Sequence, residues 1–291
     1  MSDQPSHKYR GVVPPMITPF TPDGAIDVPA VRRVIDHLIA GSASGIFVLG
    51  TTGEAASIPT DEKTKLVATM VEHVGRRAVK YVGISGNCFR EQVEAADEYK
   101  KLGADALVAH VPFYFPIGEK EIEAYFTRLA DSVSLPLVLY NIPSTTHHSI
   151  ALSTVEHLMR HPNIVAIKDS AGDPQRLTDL LKLTGGRDGF PVLLGTSPTY
   201  WHGLREGAVG LVPSGAHLVP AQYHAMYRAA MDKNWPEVDR LQKETDAVVA
   251  QYIKAGSIGK GLAVLKALLE NKGLCGRTML PPLQTFVGTP A

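Results

Sequence analysis

The chain has 291 residues, of which 44% are hydrophobic and 20% charged, so it can bury a large core. Lysine plus arginine equals aspartate plus glutamate at 29 each, which favours neither a nucleic-acid partner nor an anionic membrane surface. Cys88 and Cys275 are the only cysteines, too few for a disulfide framework or a thiolate metal cluster. No apolar run is long enough for a signal peptide or a membrane span, so we expect a soluble, cytoplasmic protein.

Eight short apolar runs recur along the chain, beginning near residues 11, 45, 80, 105, 135, 163, 190 and 207. Most of them lack alternation, as is typical of strands covered on both faces. Helical patterns lie between them, one of them with Asp27 as N-cap and Gly41 as stop, another with Asp173 as N-cap. About eight strand-plus-helix units without a glycine fingerprint after the first strand predict a closed (β/α)₈ TIM barrel rather than a doubly wound sheet.

Helical patterns continue after the eighth apolar run, and they exceed what a minimal barrel needs. The sequence therefore predicts a barrel over residues 1–219. It also predicts a C-terminal helical extension over residues 220–291, packed on the barrel or mediating assembly.

Catalytic groups of such barrels lie where the strands run into the following loops. The strand ends of this chain carry one lysine, several tyrosines and hydroxyl residues, and no obvious acid pair. That set suits an amine nucleophile acting on a carbonyl compound, with hydroxyls that carry protons. The lysine is Lys168, which follows the buried run "IVAI". The alternative is that Lys168 extends into solvent and pairs with Asp169.

Two further strand-end segments are open to a structural or a functional interpretation. In "GTTGEA", residues 50–55, Thr51 and Glu54 fit a capping box, whereas the hydroxyls and backbone N–H groups also fit a carboxylate site. His147 and His148 are adjacent, and in an extended segment their side chains point to opposite sides. We therefore expect no metal site.

Three motifs together resemble the dihydrodipicolinate synthase/N-acetylneuraminate lyase superfamily of pyruvate-dependent class I aldolases. They are "GTTGE" after the second strand, "YNIP" after the fifth and "IKDSAGD" at the sixth, and the likeness runs from about Gly11 to "LPPLQ". The resemblance implies a (β/α)₈ barrel with C-terminal helices, usually assembled as a homotetramer of paired dimers.

The resemblance also implies roles for individual residues. Lys168 would form a Schiff base with pyruvate or another 2-oxo acid, and Tyr140 would carry protons. Thr51 and Thr52 would hold the substrate carboxylate, and Tyr114 would complete a proton relay across a dimer interface. The remaining wall of the substrate pocket would be formed by Gly195, Val212 and Ser214.

The chain departs from the synthase pattern after strand five. Thr145 stands where synthases carry an arginine that binds the second substrate's carboxylate, and His147 replaces a usual glycine. Thr145, His147 and Ser214 are expected to bind hydroxyl groups instead. The prediction is a lyase that releases pyruvate from a 4-hydroxy-2-oxo acid, such as 4-hydroxy-2-oxoglutarate or a 2-keto-3-deoxy sugar acid. It needs no cofactor beyond the lysine imine.

Three alternatives remain open at this point. The same imine could serve synthase-type condensation or dehydration of a 2-keto-3-deoxy acid. A non-catalytic 2-oxo-acid-binding regulator is the alternative from a different functional class, although Lys168 and Tyr140 would be unnecessary in a pure sensor.

Overall fold

A computed structural model describes residues 8–290 of the chain, and its centre is a barrel of eight parallel strands. The strands are β1 (Gly11–Val12), β2 (Gly45–Val48), β3 (Val79–Gly83), β4 (Ala106–His110), β5 (Leu137–Asn141), β6 (Ile164–Asp169), β7 (Val192–Leu194) and β8 (Gly210–Leu211). Neighbouring strands from β2 to β8 pair in sequence, and β1 pairs with β8. The amide of Met16 donates to the carbonyl of Phe47 (2.7 Å), which joins the first segment to β2 and closes the barrel.

Helices follow the strands and cover the outside of the barrel. They are α1 (Val28–Ala40), α2 (Thr60–Val74), α3 (Phe89–Leu102), α4 (Glu119–Ser132), α5 (Pro143–Thr146), α6 (Leu152–Leu158), α7 (Pro174–Leu183), α8 (Tyr200–Glu206), α9 (Pro220–Met231), α10 (Trp235–Ile253) and α11 (Ile258–Asn271). The predicted caps of α1 and α7 are confirmed, because the Asp27 and Asp173 carboxylates accept from backbone amides in the first turn. The predicted fold class, a (β/α)₈ TIM barrel, is confirmed.

The strands separate two apolar regions because successive side chains point to opposite faces. One region lies between the strands and the helices, and the other fills the barrel interior. The interior side chains come from alternate positions, for example Val138 and Tyr140 of β5. In register, His110 lies beside Tyr140, and Tyr140 lies beside Lys168. Three neighbouring strands thus end in one row of polar side chains.

The last three helices, α9 to α11, connect back to the barrel through specific contacts. Tyr252 of α10 forms a hydrogen bond with Ser214, which follows β8 (2.8 Å between the hydroxyl oxygens). Lys266 of α11 forms a buried ion pair with Glu54, which follows β2. Both contacts reach loops at the carboxyl ends of strands, where the candidate site lies. Within residues 8–290, no helix is both long and apolar enough to cross a membrane.

Candidate active site

Lys168 lies at the end of β6 with its side chain inside the barrel. Its residue is only 5% exposed, and Nζ lies 3.8 Å from the centre of the Tyr140 ring. Asp169 points to the opposite face, where Asn141 Nδ2 (2.8 Å) and Arg176 Nε (3.3 Å) donate to its carboxylate. The alternative in which Lys168 extends into solvent and pairs with Asp169 is therefore wrong. The amine therefore lies in a pocket with aromatic neighbours, Phe47 and Tyr140, and without a carboxylate partner among the described residues.

Tyr140 connects this lysine with the loop after β2. The Tyr140 hydroxyl lies 3.5 Å from Thr51 Oγ1, and its ring lies edge-on to the His110 imidazole at 6.2 Å. Lys168 supplies the amine, Tyr140 a phenol beside it and Thr51 a second hydroxyl. A phenol beside an amine, with a second hydroxyl next to it, is an arrangement suited to proton transfer.

The loop of Thr51 and Thr52 is held from below by a buried ion pair, not by a capping box. Glu54 has a left-handed backbone conformation (φ 58°) and makes no side-chain cap bond to the following short helix. Its carboxylate instead accepts from Lys266 Nζ and from the amide of Leu280 (3.0 Å). The capping-box interpretation of Thr51 and Glu54 is wrong because this carboxylate is committed to the C-terminal segment.

That arrangement leaves the upper side of the loop available to an anion. Among the described residues, neither Thr51 nor Thr52 donates its backbone N–H to a protein acceptor. Both side chains line the cavity above Lys168. Unpaired N–H groups and hydroxyls on one turn are suited to a carboxylate.

A cavity of about 210 Å³ opens above Lys168. Its polar wall includes hydroxyl side chains from several strand ends, and its outer wall comes from α10 and α11. The predicted site residues that line it are Thr51, Thr52, Tyr140, Lys168, Gly195, Val212 and Ser214. Seven residues that the sequence singles out thus surround one cavity.

Gly195 is at a position where a side chain would block the lysine. A Cβ atom there would lie 2.0 Å from Ser170 Oγ and 2.9 Å from Lys168 Cε. Glycine thus allows the end of β7 to pass close to the lysine chain. The pocket floor expected at this residue is consistent with that close approach.

Ser214 lies on the cavity wall, but its hydroxyl already has a partner. Tyr252 OH lies 2.8 Å from Ser214 Oγ, and burial raises the pKa of Tyr252 to about 12, while the bond to Ser214 acts in the opposite direction. Tyr252 therefore stays protonated at neutral pH and can donate to Ser214.

Three predicted site residues are not brought to the cavity within this chain. Tyr114 is 74% exposed in the loop after β4. Thr145 lies in the short helix α5, and its hydroxyl donates to the carbonyl of Ile142 (3.3 Å). His147 ends that helix with φ 60°, a conformation that glycine adopts without strain, and it is exposed. The segment is therefore helical and not extended. The roles given to these three residues remain predictions.

Two residues near Lys168 were not among the sequence-based candidates. His110 ends β4 in the same register row, and its Nδ1–H donates to the carbonyl of Val111 (2.8 Å). Burial lowers the pKa of His110, the bond to Val111 opposes this, and the nearby charge of Lys168 lowers it further. Ser170 lines the cavity with an Oγ that has no hydrogen-bond partner among the described residues. Because side chains alternate between the two faces of a strand, the sequence of β4 could have indicated that His110 points into the barrel.

The described residues contain no group of three or more histidine, cysteine, aspartate or glutamate side chains that could hold a metal ion. His148 is instead engaged with the backbone, because its Nε2 lies 3.1 Å from the carbonyl oxygen of Phe115.

Comparison with known proteins agrees with the fold and with the motifs. Residues 8–287 match the model of the dihydrodipicolinate synthetase family. A curated 4-hydroxy-tetrahydrodipicolinate synthase from Pseudoalteromonas atlantica is 32% identical over 266 residues, covering 91% of this chain and 89% of the relative.

Solved structures give the same picture. A dihydrodipicolinate synthase from Bacteroides thetaiotaomicron has a TM-score of 0.90 and 31% identity, over 96% of this chain and 94% of that one. A prophage protein of the dihydrodipicolinic acid synthase family from E. coli, solved in complex with pyruvate, has a TM-score of 0.90 and 27% identity, with the same coverage.

Proposed function

Because the chain belongs to the dihydrodipicolinate synthetase family, we propose that it is a class I aldolase that binds pyruvate or a close 2-oxo acid as an imine of Lys168. In the proposed direction it cleaves a 4-hydroxy-2-oxo acid and releases pyruvate. The observation that carries the proposal is the geometry of Lys168, a buried amine that opens to a cavity with a phenol and a carboxylate-binding turn beside it.

Each step assigns one task to a side chain of this cavity. Lys168 Nζ adds to the C2 carbonyl of the 2-oxo acid, and loss of water gives a protonated imine. Thr51 and Thr52 bind the carboxylate through hydroxyls and N–H groups. Tyr140 gives its own proton to the hydroxyl that leaves as water during imine formation, and it then takes up the proton of the C4 hydroxyl. The C3–C4 bond breaks, and its electron pair moves into the imine to form an enamine. The aldehyde leaves, a proton returns to C3, and water releases pyruvate from Lys168.

Covalent trapping tests the central step. Sodium borohydride added with pyruvate should reduce the imine and leave a stable adduct on Lys168 alone, as read by peptide mass spectrometry. Lys266 is the matched internal control, because it is also buried but does not line the cavity. An adduct on another lysine, or no adduct with a well-folded protein, would remove the basis of the proposal. Turnover of a 4-hydroxy-2-oxo acid separates an enzyme from a non-catalytic regulator.

A second candidate is synthase-type condensation of pyruvate with aspartate semialdehyde, which the named relatives favour. The cavity weakens it: among the described lining residues, Lys168 is the one charged side chain, and no arginine is present for a second carboxylate. A charge-assisted hydrogen bond contributes about 1.5–3 kcal/mol, so its absence costs roughly one to two orders of magnitude.

The competing reactions can be ranked by steady-state kinetics with one enzyme preparation. We expect cleavage of a 4-hydroxy-2-oxo acid to have a higher kcat/KM than condensation with aspartate semialdehyde. A Thr145→Arg variant tests the role of the arginine that synthases use to bind the second substrate's carboxylate. It should improve condensation if Thr145 occupies the position of that arginine. Condensation that exceeds every cleavage substrate in the parent enzyme would establish the synthase function instead. Loss of water without C–C cleavage would indicate the dehydratase.

We also propose that the enzyme acts as a homo-oligomer, a tetramer of paired dimers, in which Tyr114 reaches a neighbouring active site. The support is the exposure of Tyr114 and of Phe115, two large aromatic side chains on one loop. Sedimentation velocity tests the assembly. Mixing inactive Tyr114→Phe and inactive Lys168→Met chains should restore part of the activity if the tyrosine acts on the partner subunit. Monomeric enzyme with full activity would contradict this.

A further inference from the structure

The outer part of the cavity is built from apolar side chains. Val249 and Ile253 lie one turn apart on α10, Ile258 begins α11, and Pro198 follows β7. All four line the cavity above Lys168. They face the space that the substrate occupies beyond its C4 carbon, since the 2-oxo-acid end must lie between Lys168 and the Thr51–Thr52 turn.

Two of the hydroxyl groups next to this apolar wall, those of Ser197 and Ser214, already have protein partners. Ser197 Oγ donates to Asp246 Oδ1 (2.5 Å), and Gln242 Nε2 also approaches Ser197 Oγ (3.4 Å). Ser214 Oγ pairs with Tyr252 OH (2.8 Å). Each of these two hydroxyls therefore offers a substrate hydroxyl fewer free donor and acceptor sites than an unpaired serine would.

Two of the apolar side chains are largely exposed, so covering them with an apolar group would be favourable. Ile253 is 60% exposed and Ile258 is 47% exposed. They stand at the facing ends of consecutive helices, at the mouth of the cavity. An apolar substituent that enters the cavity would cover both.

We infer that the aldehyde partner of this aldolase is a neutral molecule with an apolar, alkyl-like substituent, rather than a sugar or a semialdehyde with a carboxylate. The inference rests on the proposed function. In the condensation direction, C3 of the lysine-bound enamine forms a bond to the aldehyde carbon, and the carbonyl oxygen takes a proton. Water then releases a 4-hydroxy-2-oxo acid from Lys168. The apolar substituent lies between Val249, Ile253 and Ile258.

Pairs of aldehydes of equal length test this inference. With saturating pyruvate, kcat/KM is measured for propanal against glyceraldehyde and for butanal against succinic semialdehyde, and then along acetaldehyde, propanal, butanal and pentanal. Each added methylene that becomes buried should raise kcat/KM roughly threefold to fourfold. Propanal should exceed glyceraldehyde, and butanal should exceed succinic semialdehyde.

The variants Ile253→Ser and Ile258→Ser should flatten the dependence on chain length while leaving the pyruvate adduct unchanged. Val287→Ser is the matched control, because Val287 is exposed but does not line the cavity. Preference for glyceraldehyde or succinic semialdehyde, or an unchanged gradient in the Ile253→Ser/Ile258→Ser double variant, would overturn the inference.

Failure of the proposed function looks different from failure of this inference. Absence of any pyruvate adduct removes both. A normal adduct on Lys168 with no alkyl preference removes the inference alone. If the two isoleucines contact a second copy of the chain instead, the double variant will change sedimentation but not the gradient, which also overturns it.

Discussion

Two buried lysines of this barrel have opposite surroundings. Lys168 ends β6, opens to the cavity and has no carboxylate partner among the described residues. Lys266 lies in the middle of α11, is 1% exposed, pairs with Glu54 and donates to the carbonyl of Thr278 (2.7 Å). Each amine also lies near an aromatic ring, Tyr140 in one case and Phe20 in the other.

Burial alone therefore does not leave a lysine amine free to react. Burial lowers the pKa of Lys266, but the Glu54 carboxylate acts in the opposite direction and holds its amine in a charged pair. Lys168 has apolar and aromatic neighbours and a cavity that admits a carbonyl compound. The charged pair stabilises a loop, and the unpaired amine is available for chemistry. Glu54 belongs to the turn that carries Thr51, so Lys266 supports one wall of the cavity above Lys168.

Replacing Lys168, the proposed nucleophile, should give the largest effect. Lys168→Arg keeps a positive charge but cannot form the imine, so turnover should fall by at least about 10³. Thermal unfolding and circular dichroism should show a folded protein, and borohydride with pyruvate should label no other lysine. Turnover within tenfold of the parent would mean that the reaction does not pass through this amine.

Tyr140→Phe should give the second-largest effect, because it removes the hydroxyl proposed to transfer protons. The ring beside Lys168 would then be a phenylalanine, as it is beside Lys266. The variant keeps the aromatic contact and removes the hydroxyl that lies 3.5 Å from Thr51. Loss of a positioned proton-transfer group costs about 10²–10⁴ in turnover. Pyruvate should still be trapped on Lys168. Unchanged kcat would place the proton transfer on another group, such as the Ser170 hydroxyl, which lines the cavity.

The strands and Lys168 could be predicted because buried parallel strands are continuous apolar runs that end in polar residues. Lys168, Tyr140 and Thr51 are therefore recognisable as strand ends from the sequence alone. The Glu54–Lys266 pair could not be predicted, because its partners are 212 positions apart and local spacing fits a cap equally well. Thr145 was placed at the pocket on the family pattern, but a helical turn directs its hydroxyl to its own backbone. The local hydrogen bonds of this helical turn, and not the family pattern, determine where the Thr145 hydroxyl points.

Replacing Lys266 should lower the unfolding free energy and leave imine formation at Lys168 intact. Lys266→Met leaves the Glu54 carboxylate buried without a cation, which costs about 3–5 kcal/mol of unfolding free energy. The double variant Glu54→Gln/Lys266→Met should recover part of that loss, as measured by urea unfolding. Folded Lys266→Met should still be trapped by pyruvate at Lys168, with a higher KM because the Thr51 turn loses its support. Equal destabilisation in the single and double variants would show that the charge pairing is not what matters.

His217 is a third buried basic side chain, and its ring is held by two hydrogen bonds to the backbone. Its Nε2 accepts from the amide of Ile17 (3.0 Å), and its Nδ1–H donates to the carbonyl of Ser214 (2.8 Å), so it joins the loops after β1 and β8 as a neutral ring. Burial lowers the pKa of His217 to about 4; the bond to Ser214 opposes this, and His37 adds to it. Between that value and the ordinary 6.5, the unfolded chain binds more protons than the folded one.

The contribution of neutral His217 to the unfolding free energy is therefore complete above pH 6.5 and is lost as the pH falls toward 4. The expected loss of unfolding free energy from this group is roughly 2 kcal/mol between about pH 7 and pH 5. Urea titrations at the two pH values should show it, and His217→Gln should be less stable at neutral pH but lose less on acidification. His157→Gln is the matched control, because His157 is exposed and contacts Glu123 rather than His217. If the parent and His217→Gln lost the same unfolding free energy between the two pH values, the acid sensitivity would have to come from groups other than His217.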